Sequence, residues 1–147
     1  MYNKILLPTD GSKQANKAAE HAIWTAGQSN AEVIALNVLD MSTFTGLPTD
    51  EAIKSVKETL IREGKKAFEE IVDLSIKCKQ KYNKEIKLTF VTKEGHPADA
   101  IIKTVEEQGA DLVVMGTSGK HGLNRFLLGS VAENVVRSGP VPVLVVR

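Results

Sequence analysis

The stretch Asp111-Leu112-Val113-Val114-Met115-Gly116-Thr117-Ser118-Gly119-Lys120-His121, continued by Leu128-Gly129-Ser130-Val131, decides the fold. Asp111 to Met115 is an apolar run of strand length, the pattern of a parallel strand covered on both faces. Ser130 to Ser138 is amphipathic and reads as a helix. Glycines therefore stand at a strand exit and again at a helix entrance. Glycine leaves backbone N–H groups open to a ligand, and a helix start adds unpaired N–H groups with a partial positive charge. Such a loop can cradle phosphate oxygens. The same residues have a purely structural reading. Ser130 with Glu133 forms a capping box worth ~1 kcal/mol, and Gly116 and Gly119 can simply shape a turn. The two readings are compatible, because both use the same N–H groups.

Outward from this loop, strands and helices alternate, as expected for a parallel sheet with helices on both faces. Lys4 to Pro8 is the first strand, and Ser12 caps a helix with apolar positions Ala15, Ala18, Ala19, Ala22, Ile23 and Ala26, ending between Gly27 and Asn30. Glu32 to Val38 is the second strand. A long helix runs from Asp50 to about Tyr82 on a narrow stripe of Ile53, Val56, Leu60, Gly64, Ala67, Phe68, Ile71, Ser75 and Cys78. Lys87 to Thr92 alternates apolar and polar residues, with Leu88 and Phe90 apolar, as an edge strand should. Pro97 starts a helix that Gly109 closes, and Val141 to Val146 is the last strand. Leu39 to Thr49 is a long connection, either a cover over a site or a plain surface loop.

The spacing excludes two familiar nucleotide loops. A Walker loop needs Gly-Lys-Ser/Thr, and Gly119-Lys120-His121 breaks it at the last position; G-x-G-x-x-G is absent. The pattern present is G-x2-G-x9-G-S, over Gly116, Gly119, Gly129 and Ser130. With Ile5-Leu6-Leu7-Pro8-Thr9-Asp10-Gly11-Ser12 at the start and Pro142-Val143-Leu144-Val145-Val146 at the end, the chain resembles the ATP-binding branch of the universal stress protein family along its whole length. The resemblance implies one domain over residues 1–147, an open five-stranded parallel sheet of order 3-2-1-4-5 of the adenine nucleotide alpha-hydrolase-like type. In such a sheet the loops after strands one and four meet at the crevice where the strand order reverses.

The resemblance also implies roles. Pro8, Thr9 and Asp10 line the adenosine end, and Asp10 faces a ribose hydroxyl or a metal-bound water. Its alternative role is helix entry, where a carboxylate suits the dipole. The backbone of Val38 meets the adenine edge. Met115, Gly116, Thr117, Ser118, Gly119, Lys120 and His121 wrap ribose and phosphates, and Gly129, Ser130 and Val131 close on the phosphates from the helix start. The implied ligand is ATP with Mg2+ or Mn2+. The implied activity is that of a nucleotide-dependent regulator or switch in stress response; the alternative is a slow or partner-activated ATP hydrolase, since no residue evidently orients water. The apolar last strand, Val141 to Val146, lies at the sheet edge in this order and suits pairing with a second copy. A regulated protein partner is a further implication.

Bulk properties narrow the field. The net charge of +1 makes no electrostatic case for nucleic acid or an anionic membrane. The single cysteine, Cys78, cannot form an internal disulfide and reads as a small core residue. No signal-peptide pattern precedes Lys4 and no run approaches the ~20 apolar residues of a membrane span, so a cytoplasmic protein is expected. Three scattered histidines give no zinc spacing. His21 and His96 read as surface residues, Trp24 as packing beside its helix stripe, and Arg125 as either a phosphate contact or an exposed side chain.

Overall fold

The structure, a computed structural model, describes residues 1–118 and 127–147. Five strands, β1 (Lys4–Pro8), β2 (Glu32–Asp40), β3 (Leu88–Gly95), β4 (Leu112–Gly116) and β5 (Val143–Val146), form one parallel sheet in the order β3-β2-β1-β4-β5. The helices are α1 (Lys13–Ser29), α2 (Asp50–Tyr82), α3 (Pro97–Gln108) and α4 (Ser130–Ser138), and a short 3-10 turn spans Met41–Phe44.

Strand alternation divides the core in two. Ile5, Leu7, Val33, Ala35 and Val114 face α1 and α2, where Ala18, Ala22, Ile23, Ala26 and Ile71 meet them. Leu6, Ile34, Leu36, Val113 and Met115 face Ile101 and Val105 of α3 and Ala132 and Val135 of α4. The expected order and two-sided covering are thus observed. Every apolar position expected on α1 is buried. Gly27 remains inside that helix, and Asn30 ends it in the left-handed region at φ 55°. Cys78 is buried, as a core residue should be.

Several boundaries differ from the sequence reading, each for a local reason. β2 runs past Val38 to Asp40, because β3 pairs with it as far as Asp40 after β1 has ended. β3 itself is shifted to Leu88–Gly95, and β4 to Leu112–Gly116. The last strand starts at Val143 and not at Val141: Pro142 has no N–H for the ladder, although its carbonyl still accepts from Val113. Trp24 lies one residue round from the buried stripe and is 55% exposed, so it is not a packing residue. Phe90 is only partly covered, by a tilted contact with Phe68 at 4.8 Å between ring centroids.

The capping box expected at Ser130 is not formed. Gly129 is the cap residue, its carbonyl accepts from the Glu133 N–H at 2.9 Å, and Ser130 is already the first helical residue. The Glu133 carboxylate turns forward to Arg137 at 2.6 Å. Ser12, by contrast, is a true cap and accepts from the Ala15 N–H at 3.1 Å. Ser12→Ala should therefore cost about 1 kcal/mol of unfolding free energy in urea titration, whereas Ser130→Ala should stay within about 0.5 kcal/mol of wild type.

Asp111 ties the amino terminus to the start of β4. Burial disfavours its charge, yet the backbone N–H groups of Asn3 and Lys4 and the Asn3 amide donate to it at 2.9–3.2 Å and hold its pKa below the usual aspartate value. A carboxyl depressed in the folded state contributes stability above its unfolded pKa of about 3.9, and that contribution is lost as pH falls through the folded value. Unfolding midpoints measured in urea should drop below pH ~4 less steeply in Asp111→Asn than in wild type.

Candidate functional site

β1 ends where the chain must turn into α1, and four residues build that turn. The Thr9 N–H makes the last ladder bond, to the Leu36 carbonyl at 2.8 Å. Gly11 then takes φ 76°, which its lack of a side chain permits, and donates its N–H to Thr9 Oγ1 at 3.2 Å. Asp10 Oδ1 accepts from the Ser12 N–H at 2.9 Å, the helix-entry role named as its alternative. The turn carries Pro8, Thr9 and Asp10 along the wall of a cavity of about 620 Å3. This volume falls within the ~300–1,000 Å3 range of small-molecule sites.

The opposite wall comes from β4 and α4. Met115, Gly116, Thr117 and Ser118 line the cavity on leaving β4, and Gly129, Ser130 and Val131 line it at the start of α4. Thr117 holds these two segments together: its N–H donates to the Val146 carbonyl at 3.0 Å, and its own carbonyl accepts from Gly129 at 2.7 Å. The cap residue of α4 has no side chain to occupy the helix's first N–H groups, so they open on the cavity wall. Gly116 has a packing reason as well. A Cβ there would lie 3.0 Å from the Gln14 carbonyl carbon, so the first turn of α1 presses on the end of β4.

Val38 lines the same cavity from β2. Eleven residues expected from the sequence are therefore brought to one place: Pro8, Thr9, Asp10, Val38, the four leaving β4 and the three opening α4. Gly119, Lys120, His121 and Arg125 lie outside the described residues. His96 and His21 are exposed, as expected. Asp40 at the end of β2 and Thr43 in the connection that follows also line the cavity, so this connection borders the site.

Sequence reasoning missed several contributions, among them Asn37 and helix α2. Asn37, buried within an apolar strand, donates from Nδ2 to the Thr9 carbonyl at 2.9 Å. Helix α2 supplies Leu60, Glu63 and Gly64 to the cavity. A polar residue inside an apolar run was the available signal for the first; the second depends on long-range packing. Among the described residues, no group of three or more His, Cys, Asp and Glu could hold a metal ion.

A parallel sheet covered on both faces, with a cavity at the carboxyl ends of β1 and β4 where strand order reverses, defines an open α/β protein with a switch-point site. The model of the universal stress protein family matches residues 1–147, and the chain belongs to that family. Universal stress protein MJ0531 of Methanocaldococcus jannaschii is 43% identical over 147 residues, which span 100% of this chain and 83% of that protein. The solved structure of MJ0577, from the same organism, matches with a TM-score of 0.82 at 36% identity and covers 99% of this chain and 96% of that one. A universal stress protein solved in complex with cAMP matches with a TM-score of 0.67 at 25% identity, over 99% of this chain and 97% of that one.

Proposed function

We propose that this chain binds an adenine nucleotide, ATP in the first instance, in the switch-point cavity and acts as a nucleotide-dependent regulator in stress response. The observation that carries the reading is convergence. The β1 exit, Val38 and the start of α4, where no side chain caps the helix, line one cavity, although they come from distant parts of the chain. Base and ribose lie on the β1–β2 side, where Pro8, Leu36 and Val38 offer apolar surface. The phosphates lie against Gly129, Ser130 and Val131, whose N–H groups and helix dipole favour negative charge. Mg2+ or Mn2+ accompanies the phosphates, and Asp10 reaches it through water. Hydrolysis is slow or depends on a partner protein.

In the same reading, residues 1–147 act as one unit, in the cytoplasm, as a homodimer. Support for the dimer comes from β5. It is the outer strand of the sheet, and Leu144 on it is 39% exposed. Pairing with a second copy would satisfy the free strand edge and cover that side chain. Among the described residues, no helix is long and apolar enough to cross a membrane.

The test is to purify the chain without added nucleotide, denature it and identify released small molecules by mass spectrometry, then titrate the emptied protein with Mg-ATP by calorimetry. Co-purified ATP, or saturable binding with one site per chain, is expected. An empty protein that also fails to bind added Mg-ATP would overturn the reading.

A further inference from the structure

We infer that Asn37 is a positioning residue: it occupies the Thr9 carbonyl so that the Val38 peptide stays open to the cavity, and thereby sets the choice of base. The inference rests on the nucleotide reading above for its consequence, though not for its geometry.

In a parallel ladder, successive residues turn their N–H and C=O groups alternately toward the two neighbouring strands. On β2, Val33 donates to Lys87 on the β3 side, and the Leu36 carbonyl accepts from Thr9 on the β1 side. Odd-numbered residues thus serve β3 and even-numbered ones serve β1. The register with β3 is continuous from Val33 to Asp40, which carries this alternation to Val38. Its peptide groups therefore point toward β1 at a level where β1 has turned away.

A continued ladder would join the Val38 N–H to the Thr9 carbonyl, and the Gly11 N–H to the Val38 carbonyl. Neither partner is used that way. Asn37 Nδ2 donates to the Thr9 carbonyl at 2.9 Å, and the Gly11 N–H donates to Thr9 Oγ1 at 3.2 Å. The Asn37 side chain is only 7% exposed, so its amide has exchanged water for this contact. Helix α2 keeps the space for it. A Cβ on Gly64 would come within 2.5 Å of Asn37 Oδ1 and 2.9 Å of its Cγ.

The opened peptide presents one donor and one acceptor side by side. Adenine matches this pair with its N1 acceptor and N6 donor. Hypoxanthine reverses both, with N1–H and O6, and sets donor against donor. Asn37 thus sets base choice without itself touching the base.

The first test reads Val38 amide hydrogen exchange by NMR in the nucleotide-free chain. In wild type, Val38 should exchange at least about tenfold faster than Leu39, whose N–H serves β3; in Asn37→Leu and in Gly64→Ala, which crowds the Asn37 amide, it should slow by about tenfold as the ladder bond forms. Equal protection of Val38 and Leu39 in wild type would overturn the inference, as would unchanged exchange in both variants. The second test compares ATP with inosine triphosphate by calorimetry. Wild type should prefer ATP by about tenfold or more, and Asn37→Leu should bring the ratio to within about threefold by losing ATP affinity alone. A parallel loss of both nucleotides would show a merely structural role and overturn it. A wild-type chain that binds neither nucleotide, while Val38 exchange behaves as stated, would refute the nucleotide reading and leave the positioning role of Asn37 supported.

Discussion

Replacing Ser130 by proline should raise the dissociation constant for Mg-ATP by about 10- to 100-fold while shifting the melting temperature by only about 1–2 °C. The fold tolerates this change for two reasons. Ser130 is the first residue of α4, where proline's fixed φ suits the helix and its missing N–H breaks no intrahelical bond. Gly129, at φ −62° and ψ 153°, already has the extended conformation required before a proline. What the substitution removes is one N–H aimed at the proposed phosphate position, and a hydrogen bond to a charged group is worth about 1.5–3 kcal/mol. Ser130→Ala separates the N–H from the hydroxyl, because it keeps the former and should change affinity by less than about threefold. Calorimetry on the three proteins reads both effects. Unchanged affinity in the proline variant would move the phosphates away from α4.

The largest effect on stability is expected at Ile71, where replacement by alanine should cost about 2–5 kcal/mol and lower the melting temperature by about 5–15 °C. Helix α2 has 33 residues, yet only Gly64, Ala67, Ile71 and Cys78 on it are buried. Ile71 is the one large side chain among them, and it is fully covered. The stripe is narrow, so neighbouring side chains cannot readily fill the hole. Ile76 on the same helix is 47% exposed, and its alanine variant should stay within about 0.5 kcal/mol of wild type. Urea titration of both variants checks the contrast. Similar costs at the two positions would mean that α2 is held elsewhere.

Much of this architecture is legible in the residue order. The alternation of elements, the limits of α2 and the stripe on α1 follow from local periodicity, which one segment carries by itself. Pro8, Thr9 and Asp10 meet the glycine-bearing segments because strand order and the carboxyl ends of strands are enough to place loops. The Val38 peptide is legible only through resemblance; its physical reason lies in a neighbouring residue. Asn37 reads as an interruption of an apolar run until Thr9 is seen beside it, and Gly64 reads as a weak point in a helix until Asn37 fills the space. Ser130 and Glu133 have capping-box spacing, yet the helix begins one residue earlier in the turn, with Gly129 as its cap, and Glu133 pairs with Arg137. Trp24 and Phe90 depend on which faces find partners, a tertiary matter.

The two flanks of β1 are unequal in a way that bears on time. On one side β1 and β2 register over five positions, joined through a single local helix; on the other, β1 registers with β4 at two, Ile5 with Leu112 and Leu6 with Val113. The clasp of Asp111 on Asn3 closes a loop of more than a hundred residues. Contacts of such separation form late, since chain entropy must be spent before they reward it. The first of the five strands is thus the innermost, yet its second seam is sealed only once β4 has been made. The cavity sits across that seam. A molecule bound there would rivet the two halves, and by mass action it would lengthen the survival of the chain against proteases that attack the opened state.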